Sequence, residues 1–246
     1  MAVEYIDAGT FYAADRAYDL LVPYPGTVNA GDFLLIGAYV KSTLAATLTA
    51  PGGFAEITHR QDPDQTPQDV YALFGKVATG SESGTAAVGN NKSSSPSIGR
   101  MWRFSGCDSG DPYESAYDYA KIAASPLALE AMTVSNNDSL CVGVGIANND
   151  GTGFNDDGAH YTRITNDTTT LSGDAAMALF TFAHDAGTSD ADEVTFSIGV
   201  YLAAMGFVIS PAAGDGYPND VNGVAAANIG KINGIANASI EKVVGS

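Results

Sequence analysis

The chain reads as an all-β protein, an antiparallel β-sandwich of jelly-roll-like type followed by a short repeated tail. Three observations predict this. Apolar runs of strand length are separated by clusters of Gly, Pro, Asn and Ser, the punctuation of an antiparallel sandwich or barrel. Charged residues make up only 16% of the 246 residues, below the roughly 25% usual for soluble domains, and much of the remainder is small. The strand-like runs also recur in the same order at a spacing of 104 to 107 residues, which implies either duplicated modules or two similar halves of one sandwich.

Residues 1–27 form an N-terminal segment in which Phe11, Tyr12, Tyr18 and Tyr24 show neither helical nor strand spacing. The body spans 28–210. Its first pseudo-repeat, 28–107, carries the runs Asp32–Val40, Glu56–Thr58, Val70–Val77 and Ile98–Phe104. Its second, 134–210, carries Asn137–Val142, Tyr161–Thr165, Met177–Ala183 and Leu202–Phe207. Asp32 aligns with Asp138, Ile57 with Ile164, Leu73 with Leu179 and Met101 with Met205. Each half has about five strands, an ordinary sheet size; the halves either interleave as one jelly roll or stand as tandem small domains. Between them, Asp108–Pro126 is turn-rich at both ends and holds Tyr113, Tyr117 and Tyr119, consistent with a surface strand or with packing at the junction.

Residues 211–220 form a Pro/Gly linker, and 221–246 a tail with a period of eleven. Val221-Asn222-Gly223-Val224 starts the first unit and Ile232-Asn233-Gly234-Ile235 the second; a third begins at Val243. Asn-Gly favours tight type I′ turns between short strands, and the spacing suggests short helical pieces at 225–231 and 236–242. Repeats need about three or more copies to bury a core of their own. The apolar positions Val224, Ile229, Ile232, Ile235 and Ile240 are therefore expected to pack against symmetry mates or another protein, the alternative being the chain's own sandwich.

Little in the chain promises catalysis. The three histidines, His59, His160 and His184, have no zinc-ligand spacing, and no metal site is expected. Gly80-Ser81-Glu82-Ser83-Gly84 puts Glu where a nucleophile elbow needs Ser. Gly143-Val144-Gly145 begins a dinucleotide fingerprint but lacks its third glycine and its helix, so no cofactor is expected. The acidic loops Asp62–Asp69 and Asn148–Gly158 supply oxygens of the kind calcium takes, yet neither has EF-hand spacing, and solvated loops are the plainer reading. Cys107 and Cys141 either pair or act as buried small hydrophobes.

Twenty-eight acidic against eleven basic residues give a net charge of −17. Phosphate backbones repel such a chain, so nucleic acid is not expected as a partner. No apolar run approaches the roughly 18 residues of a membrane span. The first residues show no secretory signal, which points to synthesis in a cytoplasm.

The tail unit, seen at Lys231-Ile232-Asn233-Gly234-Ile235-Ala236 and at Val221–Ala225, resembles the short repeats near the C-terminus of many β-rich structural proteins of tailed bacteriophages. The third unit departs from it, with Val244 in place of Asn. Pro25–Leu35, Ala50–Phe54 and Leu73–Ala78 resemble segments of phage β-sandwich proteins from tail fibres, adhesins and capsid decorations. The resemblance implies a non-enzymatic virion component, made in the host cytoplasm. Its implied partners are other virion proteins, further copies of itself in a closed symmetric assembly, and a host-surface glycan or receptor. Two rivals stand beside it. A carbohydrate-binding module needs exposed aromatics, with Trp102, Tyr113 and Tyr117 the candidates; a glycan-cleaving enzyme needs two facing carboxylates in a cleft.

Overall fold

A strand that covers a core on one side alternates apolar and polar residues, whereas one covered on both sides becomes a continuous apolar run. Both patterns are realised. The computed structural model describes residues 2–15, 18–42, 46–61, 68–92, 96–122, 126–148, 153–154, 158–171, 174–195, 202–212, 231–232 and 235–236, with the backbone alone at 61, 68, 115–122, 202 and the four tail residues. The first half holds β1 (Glu4–Ala8), β2 (Tyr12–Ala14), β3 (Asp19–Pro23), β4 (Phe33–Ser42), β5 (Leu48–Thr49), β6 (Ala55–Gln61), β7 (Gln68–Val77), β8 (Thr85–Asn90) and β9 (Ser97–Ser105). The second holds β10 (Tyr113–Ile122), β11 (Leu127–Leu129), β12 (Thr133–Val134), β13 (Ser139–Ala147), β14 (Thr162–Thr169), β15 (Ala175–His184), β16 (Gly187–Thr188), β17 (Asp192–Val194) and β18 (Leu202–Ile209). The tail adds β19 (Lys231–Ile232) and β20 (Ile235–Ala236).

Two large antiparallel sheets form the sandwich. One runs β1-β9-β4-β7-β6, with β2 also on β9; the other runs β10-β18-β13-β15-β14. Their inner faces share a core in which Phe33, Leu35, Trp102 and Phe104 meet Val142, Val144, Met205 and Phe207. A smaller sheet, β3-β8-β5, covers the outer face of the first, burying Leu20, Val22 and Val88 against Leu34, Ile36 and Phe74. The ladders β11-β17 and β12-β16 cover the second in the same way, placing Leu127, Leu129 and Val194 over Cys141, Ala178 and Phe180. Strands β4 and β13 therefore lie in the middle of four layers. Their continuous runs, Phe33–Val40 and Leu140–Ala147, are buried throughout for that reason.

The register shows how closely the halves correspond. Leu35 lies between Gly75 and Trp102, and Val142 lies between Thr181 and Phe207. Leu20 pairs with Val88 as Leu127 pairs with Val194. The β6 ladder is bulged between Glu56 and Thr58, and the β14 ladder between Arg163 and Thr165. Ile57 and Ile164, the extra residues, both pack on the shared core.

Two of the four sequence alignments hold in space and two slip by one residue. Asp138, at φ 62°, takes the place of Gly31, at φ 89°, not of Asp32, and Met205 takes the place of Arg100. A one-residue slip moves every side chain to the other face, and similar residues on opposite faces produced the false match. Met101 in fact points to the outer core, Met205 to the inner one.

Residues 1–27 are not a separate leading segment. Strands β1 and β2 extend the first sheet beside β9, while β3 opens the covering sheet. The signal was the alternation of exposed Asp19 and Leu21 with buried Leu20 and Val22, obscured by the surrounding tyrosines. Tyr113–Ile122 is the expected strand, at the edge of the second sheet.

In the tail, Ile232 pairs with Ile235 and Lys231 with Ala236, so two strands close directly around Asn233-Gly234. This is the hairpin expected of Asn-Gly. Lys231 and Ala236, expected to end and begin helical pieces, are strand residues; the rest of both pieces lies outside the described residues. Each strand contains a β-branched residue, Ile232 or Ile235, that suits a pleated ribbon better than a helix.

Candidate functional site

Because the strands of the two large sheets run in aligned directions, the sandwich has two distinct ends. At one end, β4 finishes, β7 and β9 begin, β13 finishes and β15 and β18 begin. Strands β6 and β10 also finish at this end, at Gln61 and Ile122. The roots of the two acidic connections, Gln68 and Asp69 on one side and Asn148 on the other, thus meet at this end although they lie far apart in the chain. Phe154 of the second connection packs back over the outer face of the second sheet, on Phe180. Asp62, Asp64, Asp150, Asp156 and Asp157 themselves lie outside the described residues.

A buried polar cluster joins the roots of those loops. Asp69 is 1% exposed. Its Oδ1 accepts from the Tyr39 hydroxyl at 3.2 Å; its Oδ2 accepts from the Tyr71 hydroxyl at 3.1 Å and from Asn148 Nδ2 at 2.7 Å. Lys41 Nζ donates to the Asn148 carbonyl at 3.2 Å. Burial, followed by the neighbouring Asp69 carboxyl, holds the Tyr39 phenol well above its usual range. The arrangement fixes the loop bases of both halves to each other. It also occupies the innermost carboxyl of the Asp62–Asp69 loop with side-chain donors rather than leaving it to a cation.

The opposite end collects the N-terminus, the crossing between halves and the start of the tail linker. Cys107 bridges Pro211, the Ala212 N–H donates to the Gly106 carbonyl at 2.7 Å, and the Asp108 N–H donates to the Ser210 carbonyl at 2.9 Å. The Val3 N–H donates to the Asp138 carbonyl at 3.1 Å. Gly106 is required here: its φ is +76°, and a Cβ would sit 2.3 Å from the Ala2 carbonyl oxygen. The tail therefore leaves from a laced base.

Two turns are pinned by carboxylates. Glu82, the residue at the centre of the Gly-x-Glu-x-Gly string, accepts from the N–H groups of Thr79, Gly80 and Ser81 and pairs with Lys76 at 2.7 Å. Burial alone would raise its pKa, but the Lys76 and backbone hydrogen bonds outweigh it and bring the group to about 2. Asp192 likewise accepts from the N–H groups of Ala159, His160, Tyr161 and Glu193, which overcome its burial and lower its pKa.

For Glu82 the folded pKa lies below the unfolded one, so its contribution is complete above the ordinary glutamate range and is lost as pH falls through about 2. Glu82→Gln is expected to flatten the acid limb of the stability–pH profile in that window, measured by thermal melts at stepped pH. An unchanged acid limb would show that the turn does not depend on the charge.

The residues that sequence reasoning weighed for chemistry are dispersed. His160 and His184 flank the Phe182 ring at 5.5 and 5.4 Å, and His59 lies in β6 near Glu56. Among the described residues no histidine is hydrogen-bonded to a Ser, Thr or Cys side chain, and no group of three or more His, Cys, Asp or Glu could hold a metal. Both cysteines are buried free thiols, and burial pushes Cys107 up to about 12 and Cys141 to about 11. Gly143 and Gly145 lie inside β13, where Gly145 leaves room for the Phe154 ring.

Trp102 is fully buried, and Tyr113 packs against Phe33 and Phe207; the side chains of Tyr117 and Tyr119 are outside the described residues. Of the five tail positions proposed for assembly, Ile232 and Ile235 face one another across the hairpin register, and Val224, Ile229 and Ile240 lie outside the described residues.

Three polar groupings escaped sequence reasoning. Besides the Asp69 cluster, Arg103 bridges Asp7 at 2.7 Å and Asp32 at 3.2 Å, tying β1 to the turn before β4. Across the shared core Arg100 Nη1 donates to Asp167 Oδ1, and Trp102 Nε1 donates to Thr165 Oγ1 at 3.1 Å. Burial raises the Asp167 pKa, with Arg100 opposing. The available signal was charge inside an apolar strand run: Arg100 and Arg103 interrupt Ile98–Phe104, and a buried charge requires a partner.

Comparison of the chain with known protein families, with curated proteins and with solved structures finds no match.

Proposed function

We propose that this chain is a non-enzymatic structural component of a bacteriophage virion, a surface-exposed tail-fibre, adhesin or capsid-decoration protein. Its body is a pair of jelly-roll-wound modules and its C-terminal repeats mount it by oligomerisation or attachment. The observation that carries the reading is the division of the sandwich into two ends. The roots of the acidic loops, Asp69 and Asn148, meet at one end, and the tail linker begins at the other, at Ser210–Ala212 beside Val3. A mounted part that meets a host-surface glycan or receptor needs this separation, since a rigid body must hold its contact loops away from its attachment.

The tail hairpin pairs Ile232 with Ile235 on a ribbon too short for independent stability. Other virion proteins or further copies of the chain are the surfaces that would complete it. Burial of Trp102 and the half-buried packing of Tyr113 speak against a flat aromatic glycan platform. Carboxylates Asp7 and Asp32 are bridged by Arg103 rather than facing across a cleft, which weighs against glycan cleavage.

Deleting Val221–Ser246 is expected to leave the body folded, with an unchanged circular dichroism spectrum and melting temperature, but to abolish incorporation into particles. Normal incorporation of the truncated chain would remove the attachment role.

A further inference from the structure

The surface that joins the halves follows a two-fold rule. Lys41 and Asn148 hold equivalent positions at the ends of β4 and β13, and they touch one another. In a two-fold contact, equivalent residues meet only beside the axis. The edges agree with that geometry: β10, the counterpart of β1, lies against β6, while β14, the counterpart of β6, receives Arg100 and Trp102 from the β1 side of the first sheet. Shape and apolar pattern alone would therefore let two first halves pair, or two second halves.

Charge breaks that symmetry. Arg100 faces Asp167, and both side chains are 17% exposed. In register, Asp167 pairs with Met177 as Arg60 pairs with Tyr71, and Met205 pairs with Val144 as Arg100 pairs with Gly37. Arg60 thus holds the place of Asp167, and Met205 the place of Arg100. Pairing two first halves would set Arg100 against Arg60, a like-charge contact. Pairing two second halves would set Asp167 against Met205, leaving a buried carboxylate without its cation. Buried ion pairs add little net stability but can determine which surfaces associate.

We infer that the body is a fused heterodimer: the inner face of the sheet β1-β9-β4-β7-β6 is a docking surface for the inner face of the sheet β10-β18-β13-β15-β14 of its own chain, and the Arg100–Asp167 contact makes unlike halves pair and like halves refuse one another. The inference rests on the body alone and stands apart from the virion reading.

The test uses the full chain with a protease site inserted at the exposed turn Ser109–Asp111. Cut while folded, the halves are expected to co-elute as a one-to-one pair. After separation in urea and return to buffer, native mass spectrometry is expected to find unlike pairs, with like pairs suppressed roughly a hundredfold, about 2.8 kcal/mol, by the like-charge contact in one case and the unpaired carboxylate in the other. Arg100→Asp in the cut chain is expected to weaken re-pairing by a similar factor, and adding Asp167→Arg to restore it. Halves that part on the column, like pairs in statistical proportion, an Arg100→Asp variant that pairs as well as the parent, or a double variant no better than the single one would each overturn the inference.

Discussion

Replacing Trp102 with alanine is expected to cost about 3–5 kcal/mol of unfolding free energy, the range for emptying a large aromatic site in a packed core. Trp102 is the largest fully buried side chain of the body, in the core that both large sheets share. Its ring also fills the space that the missing side chain of Gly37 leaves, since a Cβ there would lie 2.9 Å from Trp102 Cζ3. The variant further strips Thr165 of its indole donor. At about 2–4 °C per kcal/mol for a chain of this size, the melting temperature should fall by roughly 10 °C or more. Trp102→Phe keeps most of the packing and loses the hydrogen bond, so about 1 kcal/mol is expected. Because Trp102 is the chain's single tryptophan, the comparison is made by circular dichroism in urea. A loss below about 1 kcal/mol for the alanine variant would mean that the two sheets are not held by this core.

The second large effect is expected at the root of the loops. Asp69→Ala leaves the Tyr39 and Tyr71 hydroxyls and the Asn148 amide without their shared acceptor, in a site closed to water. Loss of a buried hydrogen bond costs about 1–3 kcal/mol, and loss of these three bonds together should cost about 3–5 kcal/mol after partial relaxation. The same substitution made in a Tyr39→Phe/Tyr71→Phe background should cost markedly less, because both phenol donors are already gone. Equal costs in both backgrounds, read from urea midpoints, would show that the carboxyl acts through something other than this network.

Much of the fold was legible because β4 and β13 lie between layers: Phe33–Val40 and Leu140–Ala147 could be continuous apolar runs only if both faces were covered. The Asn-Gly hairpin was legible for an equally local reason, since turn chemistry depends on few residues. The duplication was visible, but its register was not, because Met101 and Met205 match in kind while pointing to different cores. Strand β3 was missed because its alternation spans only Asp19–Pro23, amid tyrosines that break the pattern.

The polar groupings were harder to read. Nothing local in the chain says that Asp69 will meet Asn148, or Arg100 Asp167. Such contacts depend on how two sheets stack, and stacking is decided by the summed apolar faces rather than by any single residue. The loops Asp62–Asp69 and Asn148–Gly158 were recognisable as acidic connections, whereas their common origin at one end follows only from strand direction.

The separation of the two ends is tested most directly on intact particles. One version of the chain carries an epitope inserted within residues 62–67, another carries the same epitope after Ser246, and each is labelled with an antibody fragment in electron micrographs. Density at the loop insertion, distal to the particle, together with none at the C-terminal epitope, is the result expected of a part mounted by its tail. An accessible C-terminal epitope with a hidden loop epitope would contradict that arrangement.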